Sequence, residues 1–325
     1  MSSKKIMLVG EPMGLFIAQT EGPLETVKLF SSAVAGAEFN VAVGLTRLGH
    51  GVGYMTRLGN DPFGKRIVGT MQQNQIDTSL ISFSEEHATG FMLKSKVVSG
   101  DPEIYYFRKN SAASFISKSD IDCIDFSEYS GLHLTGIFPA LSPTTLEAAK
   151  YLMQKAKSSG LTIFFDPNLR PQLWRDEKEM AATVNELAQF SDYFMPGVKE
   201  GVILTGCTTP ENIADYYLQY QIPNIIIKVG AKGAYLATRN ERVSIPGFKV
   251  EKVVDTVGAG DGFASGVISA VTEGLPVKDA VRRGNAIGAI QVMSVGDNDG
   301  LPTRNQLKAF MHQAKNSEPN VHLFP

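Results

Sequence analysis

Cysteine is scarce in this sequence, and neither sign of charge is in large excess. The 325 residues include two cysteines, Cys123 and Cys207, which are far apart and in no spacing typical of a metal site. Two distant thiols indicate a reduced, cytoplasmic protein rather than a disulfide scaffold. The formal net charge is -2, so no basic excess predicts binding to nucleic acid or to an anionic membrane.

Long apolar runs are missing as well. No uninterrupted apolar run reaches the roughly 18 residues that a membrane-spanning helix needs. The N-terminal stretch MSSKKIMLVGEPMG has a short apolar core that soon meets an acid and a proline. This pattern predicts a first strand rather than a signal peptide. Because 43% of the residues are hydrophobic and 20% are charged, the chain has enough apolar side chains for a sizeable core.

Strand-like and helix-like segments alternate along the chain. Short apolar runs predict strands at 5–10, 52–59, 131–136, 161–166 and 224–230. Helical spacing, with capping residues at several ends, predicts helices at 38–49, 61–75, 142–160, 259–273, 277–293 and 303–315. Alternation of this kind predicts a mainly parallel sheet that is covered by helices on both faces.

Two segments, 11–33 and 89–109, interrupt this alternation. Residues 89–98 and 103–111 have the pattern of paired strands around the turn SGDPE at 99–103. In a doubly wound fold, ligands bind beyond the carboxyl ends of the strands, and a small sheet inserted there would serve as a lid. Ordinary edge hairpins are the alternative, and the pattern alone does not choose between the two.

Residues 255–263 read DTVGAGDGF and precede the predicted helix 259–273. The stretch is not a Walker A loop, because no Gly-Lys-Ser/Thr follows. It also lacks the third glycine of a dinucleotide-binding loop and lies late in the chain, which argues against a dehydrogenase. The first backbone N–H groups of the helix, at Ala259, Gly260 and Asp261, have no intrahelical acceptor and would form an anion site. Alternatively, Asp261 only complements the helix dipole.

The sequence resembles the PfkB, or ribokinase-like, family of sugar kinases at two separate signatures. DTVGAGDGFASG at 255–266 is similar to the family's C-terminal signature, and AGAEFNVAVGLTRLG at 35–49 with GYMTRLGNDPFGK at 53–65 is similar to its N-terminal one. The resemblance implies one domain over 1–325, a three-layer α/β/α sandwich with a mainly parallel central sheet and a small β-sheet lid from about 11–33 and 89–109. Within the family, residues 10–13, 105–114, 132–143 and 166–174 resemble the 2-keto-3-deoxygluconate kinases.

This resemblance implies phosphoryl transfer from ATP to a primary hydroxyl. Asp261 would be the catalytic base, and the backbone of Gly258, Ala259 and Gly260 would be the anion hole. The substrate-binding residues implied, besides Asp261, are Gly36, Asn40, Tyr106, Arg108, Ile137 and Arg170. The two arginines favour an acidic substrate, because a guanidinium group can bind both oxygens of a carboxylate. Without the family, Asn40 is typical of a helix cap, and each arginine is typical of a solvated surface charge.

The resemblance also implies a nucleotide site and a metal ion. The ATP-binding residues implied are Asn168, Lys228, Gly230, Gly233, Gly258, Gly260 and Asn285. Relatives carry Asn-x-x-Glu where this sequence reads GVKE at 197–200, so Glu200 is kept but Gly197 takes the Asn position. Glu200 is therefore predicted to reach Mg²⁺ through water, since this ion usually keeps several waters. Asp297 is predicted either to contact the substrate carboxylate or a cation, or to form a simple turn.

Together these observations predict an ATP- and Mg²⁺-dependent sugar-acid kinase with no nucleic acid or membrane partner. The main hypothesis is phosphorylation of 2-keto-3-deoxygluconate to its 6-phosphate. A fructokinase or another neutral-sugar kinase is the alternative on the same fold. A non-catalytic nucleotide or sugar sensor is the alternative of another class, and the intact acid of GAGD argues against it. A homo-oligomer formed through the lid is a further hypothesis.

Overall fold

The structure, a computed structural model, describes residues 4–97, 102–294 and 296–317. In these residues the strands are β1 (Lys5–Val9), β2 (Met13–Glu21), β3 (Phe30–Ala35), β4 (Val52–Gly59), β5 (Ile81–Ser84), β6 (Phe91–Lys96), β7 (Ile104–Phe107), β8 (Tyr129–Thr135), β9 (Thr162–Asp166), β10 (Tyr193–Phe194), β11 (Asn224–Lys228), β12 (Gly233–Thr238) and β13 (Arg242–Pro246). The α-helices are α1 (Ala37–Arg47), α2 (Pro62–Gln73), α3 (Lys118–Asp122), α4 (Pro143–Ser158), α5 (Glu177–Ala188), α6 (Val198–Thr205), α7 (Pro210–Leu218), α8 (Ala259–Thr272), α9 (Val277–Gln291) and α10 (Arg304–Ser317).

Nine strands form the large sheet, in the order β13-β12-β11-β10-β9-β8-β1-β4-β5. Neighbouring strands from β11 to β5 pair in parallel, and β12 and β13 add an antiparallel edge. The first strand lies inside the sheet, where Met7 pairs with Gly53 of β4 and with Leu132 of β8. The chain therefore builds the sheet outwards from β1 in both directions.

Helices cover both faces of this sheet, as the alternation predicts. One buried cluster contains side chains of α4, α5 and α7, such as Leu152, Val184 and Ile213. The other contains side chains of α1, α8 and α9, such as Leu45 and Ile268. The predicted three-layer α/β/α fold with a mainly parallel sheet is confirmed. No helix in the described residues is both long and apolar enough to cross a bilayer.

A second, four-stranded sheet has the order β3-β2-β6-β7. Its strands come from the two segments that interrupt the alternation, and the predicted pairing of β6 with β7 is antiparallel, with Met92 opposite Tyr106. Residues 98–101, which include most of the predicted turn SGDPE, lie outside the described residues. The small second sheet is thus confirmed. We call it the lid sheet.

The helix starts follow their capping residues. Asp61 accepts a hydrogen bond from the Gly64 N–H at 2.8 Å at the start of α2, and Ser142 accepts one from the Thr145 N–H at 3.1 Å at the start of α4. Such side chains satisfy N–H groups that the helix itself leaves unpaired. Helices α3, α5, α6 and α7 and strands β5, β10, β12 and β13 have no counterpart in the sequence prediction.

Candidate active site

Two adjoining cavities lie beyond the carboxyl ends of the parallel strands. The larger is about 640 Å³, lies between the large sheet and the lid sheet, and is lined by Glu11, Met13, Gly36, Ala37, Glu38, Asn40, Met92, Pro102, Ile104, Tyr106, Arg108, Ile137, Asp166, Asn168, Arg170, Glu200, Lys228, Thr256, Val257, Gly258, Gly260, Asp261 and Asp297. The smaller is about 330 Å³, and Gly230, Gly233, Phe248, Val253, Ala259, Phe263, Asn285 and Val292 are among its lining residues. Lys228, Thr256 and Gly260 line both cavities, so the two spaces meet at the start of α8.

Gly258 caps the N-terminus of α8 in the left-handed conformation, with a φ of 75°. A Cβ atom at this position would overlap the Asp297 carbonyl oxygen, so only glycine fits. The first intrahelical bond runs from the Gly262 N–H to the Gly258 oxygen at 2.8 Å. The Ala259 N–H donates to the Thr256 carbonyl oxygen at 3.4 Å, so of the expected donors the N–H groups of Gly260 and Asp261 remain available for an anion where the cavities meet.

Asp261 lies in this first turn of α8 and lines the larger cavity. Its Oδ2 accepts a hydrogen bond from Asn40 Nδ2 at 2.7 Å, across 221 residues of sequence. Asn40 is inside α1, and the N-cap position of α1 is Gly36. The cap interpretation of Asn40 is therefore wrong, and its amide instead contacts the candidate base.

The surroundings of Asp261 favour its protonated form. Burial raises the pKa of Asp261 to about 7, and the negative charge of Asp166 adds to the rise. The hydrogen bond from Asn40 and the positive charges of Arg170 and Lys228 oppose it. A carboxyl group with a pKa near neutrality is suited to accept a proton and to release it again.

Lys228 and Asp166 form an ion pair where the two cavities meet. Lys228 Nζ, at the end of β11, donates to Asp166 Oδ2, at the end of β9, over 2.5 Å. Burial lowers the pKa of Lys228, but Asp166, Glu200 and Asp261 outweigh this effect, so the pKa is raised. The ammonium group is therefore charged, and Lys228 lines both cavities.

A buried carboxylate holds Arg108 at the root of the lid sheet. Glu11 follows β1 and is 2% exposed, and Arg108 follows β7. Arg108 Nε donates to Glu11 Oε2 at 2.7 Å, and the Ser111 hydroxyl donates to Glu11 Oε1. The Arg108 guanidinium also lies 5.7 Å from the ring centre of Tyr106. Arg108 therefore reaches the larger cavity with its charge already paired.

Arg170 is held differently. Its Nη1 donates to Asn168 Oδ1 at 2.7 Å and to the Leu169 carbonyl oxygen at 3.0 Å. Asn168 itself has a φ of 38°, a backbone conformation that asparagine tolerates better than most residues. Among the residues that the structure describes, no carboxylate forms an ion pair with Arg170. Its charge is therefore the better one to receive an anionic group in the larger cavity.

The other predicted substrate residues form the walls. Gly36 and Ile137 line the larger cavity, Ile137 being 6% exposed. Beside them is Glu38, whose Oε1 accepts a hydrogen bond from the Thr135 hydroxyl at 2.5 Å. Burial raises the pKa of Glu38, although this hydrogen bond opposes the change.

The smaller cavity has mostly apolar walls with a few polar anchors. Asn285 Nδ2 donates to the carbonyl oxygens of Ile245 and Pro246, both at 3.1 Å, and so fixes the wall. Gly233 has a φ of 102°, and a Cβ atom there would overlap the Ile245 carbonyl oxygen. A flat apolar ring such as adenine fits a cavity of this kind. Asn168, predicted to bind ATP, lies instead on the larger cavity.

Glu200 serves as a helix cap. Its Oε2 accepts a hydrogen bond from the Gly197 N–H at 2.7 Å, and its Oε1 accepts one from the Leu169 N–H at 2.9 Å. Each carboxylate oxygen keeps a second lone pair, so contact with a metal-bound water stays compatible with this geometry. Within the described ranges no three His, Cys, Asp or Glu side chains cluster as a direct metal site. The free lone pairs of Glu200 therefore fit a contact to a water molecule bound on Mg²⁺.

Asp297 and Lys94 connect the lid sheet to the start of α8. Lys94, on β6, has a side chain that is 9% exposed. Its Nζ lies 3.3 Å from Asp297 Oδ1 and 3.6 Å from Asp255 Oδ2. Burial raises the pKa of Asp297, while the charge of Lys94 opposes the rise. Asp297 is therefore more than a simple turn residue, because it lines the larger cavity and pairs with the lid sheet.

All the predicted site residues line one or both cavities, but sequence reasoning overlooked several neighbours. These are Glu11, Glu38, Lys94, Asp166 and Asn298. Asp166 carried a usable signal, because an acid directly after the buried run TIFFD lies at the carboxyl end of a parallel strand. The others are single polar residues whose partners are remote in sequence.

The fold and the site together define a ribokinase-like kinase: a doubly wound sheet with a lid sheet, and a glycine-capped helix that places a carboxylate between two cavities. The comparison with known families makes the assignment specific. The family model described as pfkB family carbohydrate kinase matches residues 3–304, and the chain belongs to this family.

Individual relatives agree with this assignment. The chain is 48% identical over 303 residues to a 2-dehydro-3-deoxygluconokinase of Bacillus subtilis strain 168. The match covers 93% of this chain and 94% of the relative. The crystal structure of a PfkB protein from Polaromonas sp. JS666 is similar with a TM-score of 0.86 and 43% identity, over 94% of this chain and 99% of that one. A structure from E. coli that contains ATP and Mg²⁺ is similar with a TM-score of 0.86 and 26% identity, over 95% of this chain and 99% of that one.

Proposed function

We propose that this carbohydrate kinase transfers the γ-phosphoryl group of ATP to the primary hydroxyl of 2-keto-3-deoxygluconate and produces the 6-phosphate. One observation carries the proposal. Asp261 lines the larger cavity in the first turn of a helix that begins where the two cavities meet, and Gly260 of the same turn lines both, so the base and the N–H donors lie side by side at the junction. This arrangement suits transfer of a phosphoryl group from a nucleotide on one side to a hydroxyl on the other.

The chemistry assigns a role to each part of the site. Asp261 accepts the proton of the primary hydroxyl as the hydroxyl oxygen bonds to the γ-phosphorus and the bond to the β-phosphate oxygen breaks, which releases ADP. The backbone of Gly258, Ala259 and Gly260 and the ammonium group of Lys228 stabilise the charge on the phosphoryl oxygens. Bound Mg²⁺ neutralises phosphate charge, and Glu200 would contact its water shell.

The larger cavity supports an acidic substrate. Arg170 has a guanidinium group with no carboxylate partner among the described residues, and Tyr106, Arg108 and Asn40 line the same cavity. A guanidinium group binds the two oxygens of a carboxylate in a fixed geometry. The 2-dehydro-3-deoxygluconokinase of Bacillus subtilis, at 48% identity, supports the particular sugar acid.

The smaller cavity would take the adenosine part of ATP. Its apolar walls suit the base, while Gly230, Gly233 and Asn285 bring backbone and amide groups close to the ribose and phosphates. The related E. coli structure contains ATP and Mg²⁺. We also propose a cytoplasmic location, supported by the free thiols of Cys123 and Cys207. Self-association through the lid sheet stays a hypothesis, supported by the half-exposed Phe107 on β7.

A screen of ATP turnover tests the proposal. ADP release is measured with 2-keto-3-deoxygluconate, gluconate, fructose and ribose, each with Mg²⁺, and the product of the best substrate is examined by NMR for a phosphate on the terminal carbon. We expect kcat/KM for 2-keto-3-deoxygluconate to exceed that for fructose by more than about tenfold. An equal or higher value for fructose would favour the neutral-sugar kinase. Sugar binding without ADP release would favour the sensor.

A further inference from the structure

A chain of side-chain hydrogen bonds leads from the loop after α9 to the candidate base. Asn298 Nδ2 donates to Asn40 Oδ1 at 2.9 Å. Asn40 Nδ2 in turn donates to Asp261 Oδ2 at 2.7 Å. The three residues come from three separate parts of the chain, so Asn298 reaches Asp261 through Asn40.

The loop that carries Asn298 is itself held in place. Arg47 Nη1 donates to the carbonyl oxygens of Asn298 at 2.9 Å and of Leu301 at 2.8 Å. Gln291 Nε2, at the end of α9, donates to the Gly296 carbonyl oxygen at 2.8 Å. The backbone on both sides of Asn298 is therefore anchored to helices of the core, and its side chain has a fixed origin.

The two ends of the Asn40 amide have nearly the same shape but opposite hydrogen-bonding character. If the amide turned over, Oδ1 would face Asp261, and in the ionised form that a base requires, two acceptors would repel each other. The N–H of Asn298 occupies Oδ1 and so keeps that end away from Asp261. The donor end of Asn40 is then the one that faces the base.

We propose that Asn298 is a positioning residue, which fixes the amide of Asn40 so that Asn40 donates to Asp261 and orients its carboxylate toward the substrate hydroxyl. The inference rests on the proposed role of Asp261 as the base. The other charged groups that influence Asp261 are Asp166, Arg170 and Lys228, and none of them bonds to Asn298 in the described structure.

A double-mutant cycle tests whether Asn298 acts through Asn40. The variants are Asn298→Ala, Asn40→Ala and the combination, with Asp299→Asn as the control in the same loop, because Asp299 is exposed and does not line the larger cavity. Thermal melting confirms that each variant is folded. Asn298→Ser, whose hydroxyl is too short to reach Asn40, repeats the test should the alanine variant not fold.

Two readouts are taken from each variant. The first is kcat and the KM for ATP in the kinase assay. The second is the titration of the Asp261 carboxyl carbon by ¹³C NMR, assigned by its loss in Asp261→Asn. We expect Asn298→Ala to lower kcat about tenfold or more, with an unchanged KM for ATP, because an ordered hydrogen bond to the base is lost. The midpoint of the Asp261 titration should rise, and the control should match the wild type.

The cycle separates a positioning role from general destabilisation. If Asn298 acts through Asn40, Asn298→Ala has no further effect on either readout once Asn40 is alanine. A loss of kcat that is equally large in both backgrounds, or an unchanged Asp261 midpoint in Asn298→Ala, would overturn the inference. Absence of any sugar-acid turnover by the wild type would refute the proposed function instead, and the carbon titration would still decide the role of Asn298.

Discussion

The pH dependence of turnover offers the most direct test of Asp261. In the proposed mechanism its carboxyl group must be ionised to accept the hydroxyl proton, so turnover is lost as pH falls through its pKa. Because burial raises that pKa to about 7, about one tenth of the carboxyl groups are ionised at pH 6 and about nine tenths at pH 8. We therefore expect kcat/KM for the sugar acid, which reports the pKa of the ligand-free enzyme, to rise about tenfold across this interval.

Asp261→Asn removes the base and keeps nearly the same shape. The asparagine amide does not accept a proton in this range, so kcat should fall by about 10² to 10⁴, and kcat/KM should lose its rise between pH 6 and pH 8. The smaller cavity does not include the Asp261 side chain, so the Kd for ATP should stay within a few-fold of the wild-type value.

Substitution of Asp166 tests the same pKa without changing Asp261 itself. Asp166 raises the pKa of Asp261, whereas Lys228, its ion-pair partner, lowers it. Asp166→Asn removes the negative charge and leaves Lys228 unpaired, and both changes lower the pKa of Asp261. The rise in kcat/KM should therefore move to lower pH in this variant.

The assay measures ADP by chromatography between pH 5.5 and pH 9, so that no coupling enzyme adds its own pH dependence. Fluorescence titration with ATP checks nucleotide binding in each variant. If folded Asp261→Asn keeps more than about a tenth of the wild-type kcat, or keeps the rise around pH 7, Asp261 is only an acid that complements the helix dipole.

Three further predictions follow from the contacts of the site. Arg170→Ala should raise the KM for the sugar acid by roughly 10- to 150-fold without lowering Tm. Arg108→Ala should raise this KM and also lower Tm, because it leaves the buried carboxylate of Glu11 unpaired. Equal losses of activity on acidic and neutral sugars would contradict the binding of a substrate carboxylate by these arginines. Gly258→Ala should lower Tm and weaken ATP binding far more than Gly160→Ala, since both glycines have a φ of 75° but only Gly258 has a neighbouring atom in the way. Glu200→Gln should raise the Mg²⁺ concentration for half-maximal activity with little change in Tm, and an unchanged Mg²⁺ titration would exclude Glu200 from the metal site.

Much of the fold could be predicted because its signals are local. The strand at 52–59 and the start of α8 at residue 259 follow from apolar runs, glycines and capping residues, and the structure has both at those positions. The order of the strands is not a local property, and the position of β1 between β4 and β8 is set by how the complete layers pack. Helix α6 (Val198–Thr205) was also overlooked, because it is short and its cap is a glycine with a carboxylate from within the helix.

In the candidate site, too, local features could be predicted from the sequence and long-range contacts could not. The role proposed for Asp261 rests on the resemblance of a contiguous motif, and the structure has this residue in the first turn of α8. Its bond with Asn40 spans 221 residues, and that of Arg108 with Glu11 spans 97, so no spacing in the sequence points to either. Burial of Glu11 is unexpected from composition as well, since carboxylates are rarely buried unless a cation pairs with them.

The long separation between Asn40 and Asp261 has a consequence for biosynthesis. A growing chain emerges from the ribosome with both lid segments and most walls of the larger cavity before α8 exists, since domains fold from the N-terminus as they are made. Helix α8 also covers α1, whose Val41 and Leu45 are buried in the finished protein. A chain that stops before residue 259 would thus expose the apolar face of α1 and would lack Asp261, the proposed base. Such a fragment would be unable to consume ATP and would present a hydrophobic surface to chaperones and proteases.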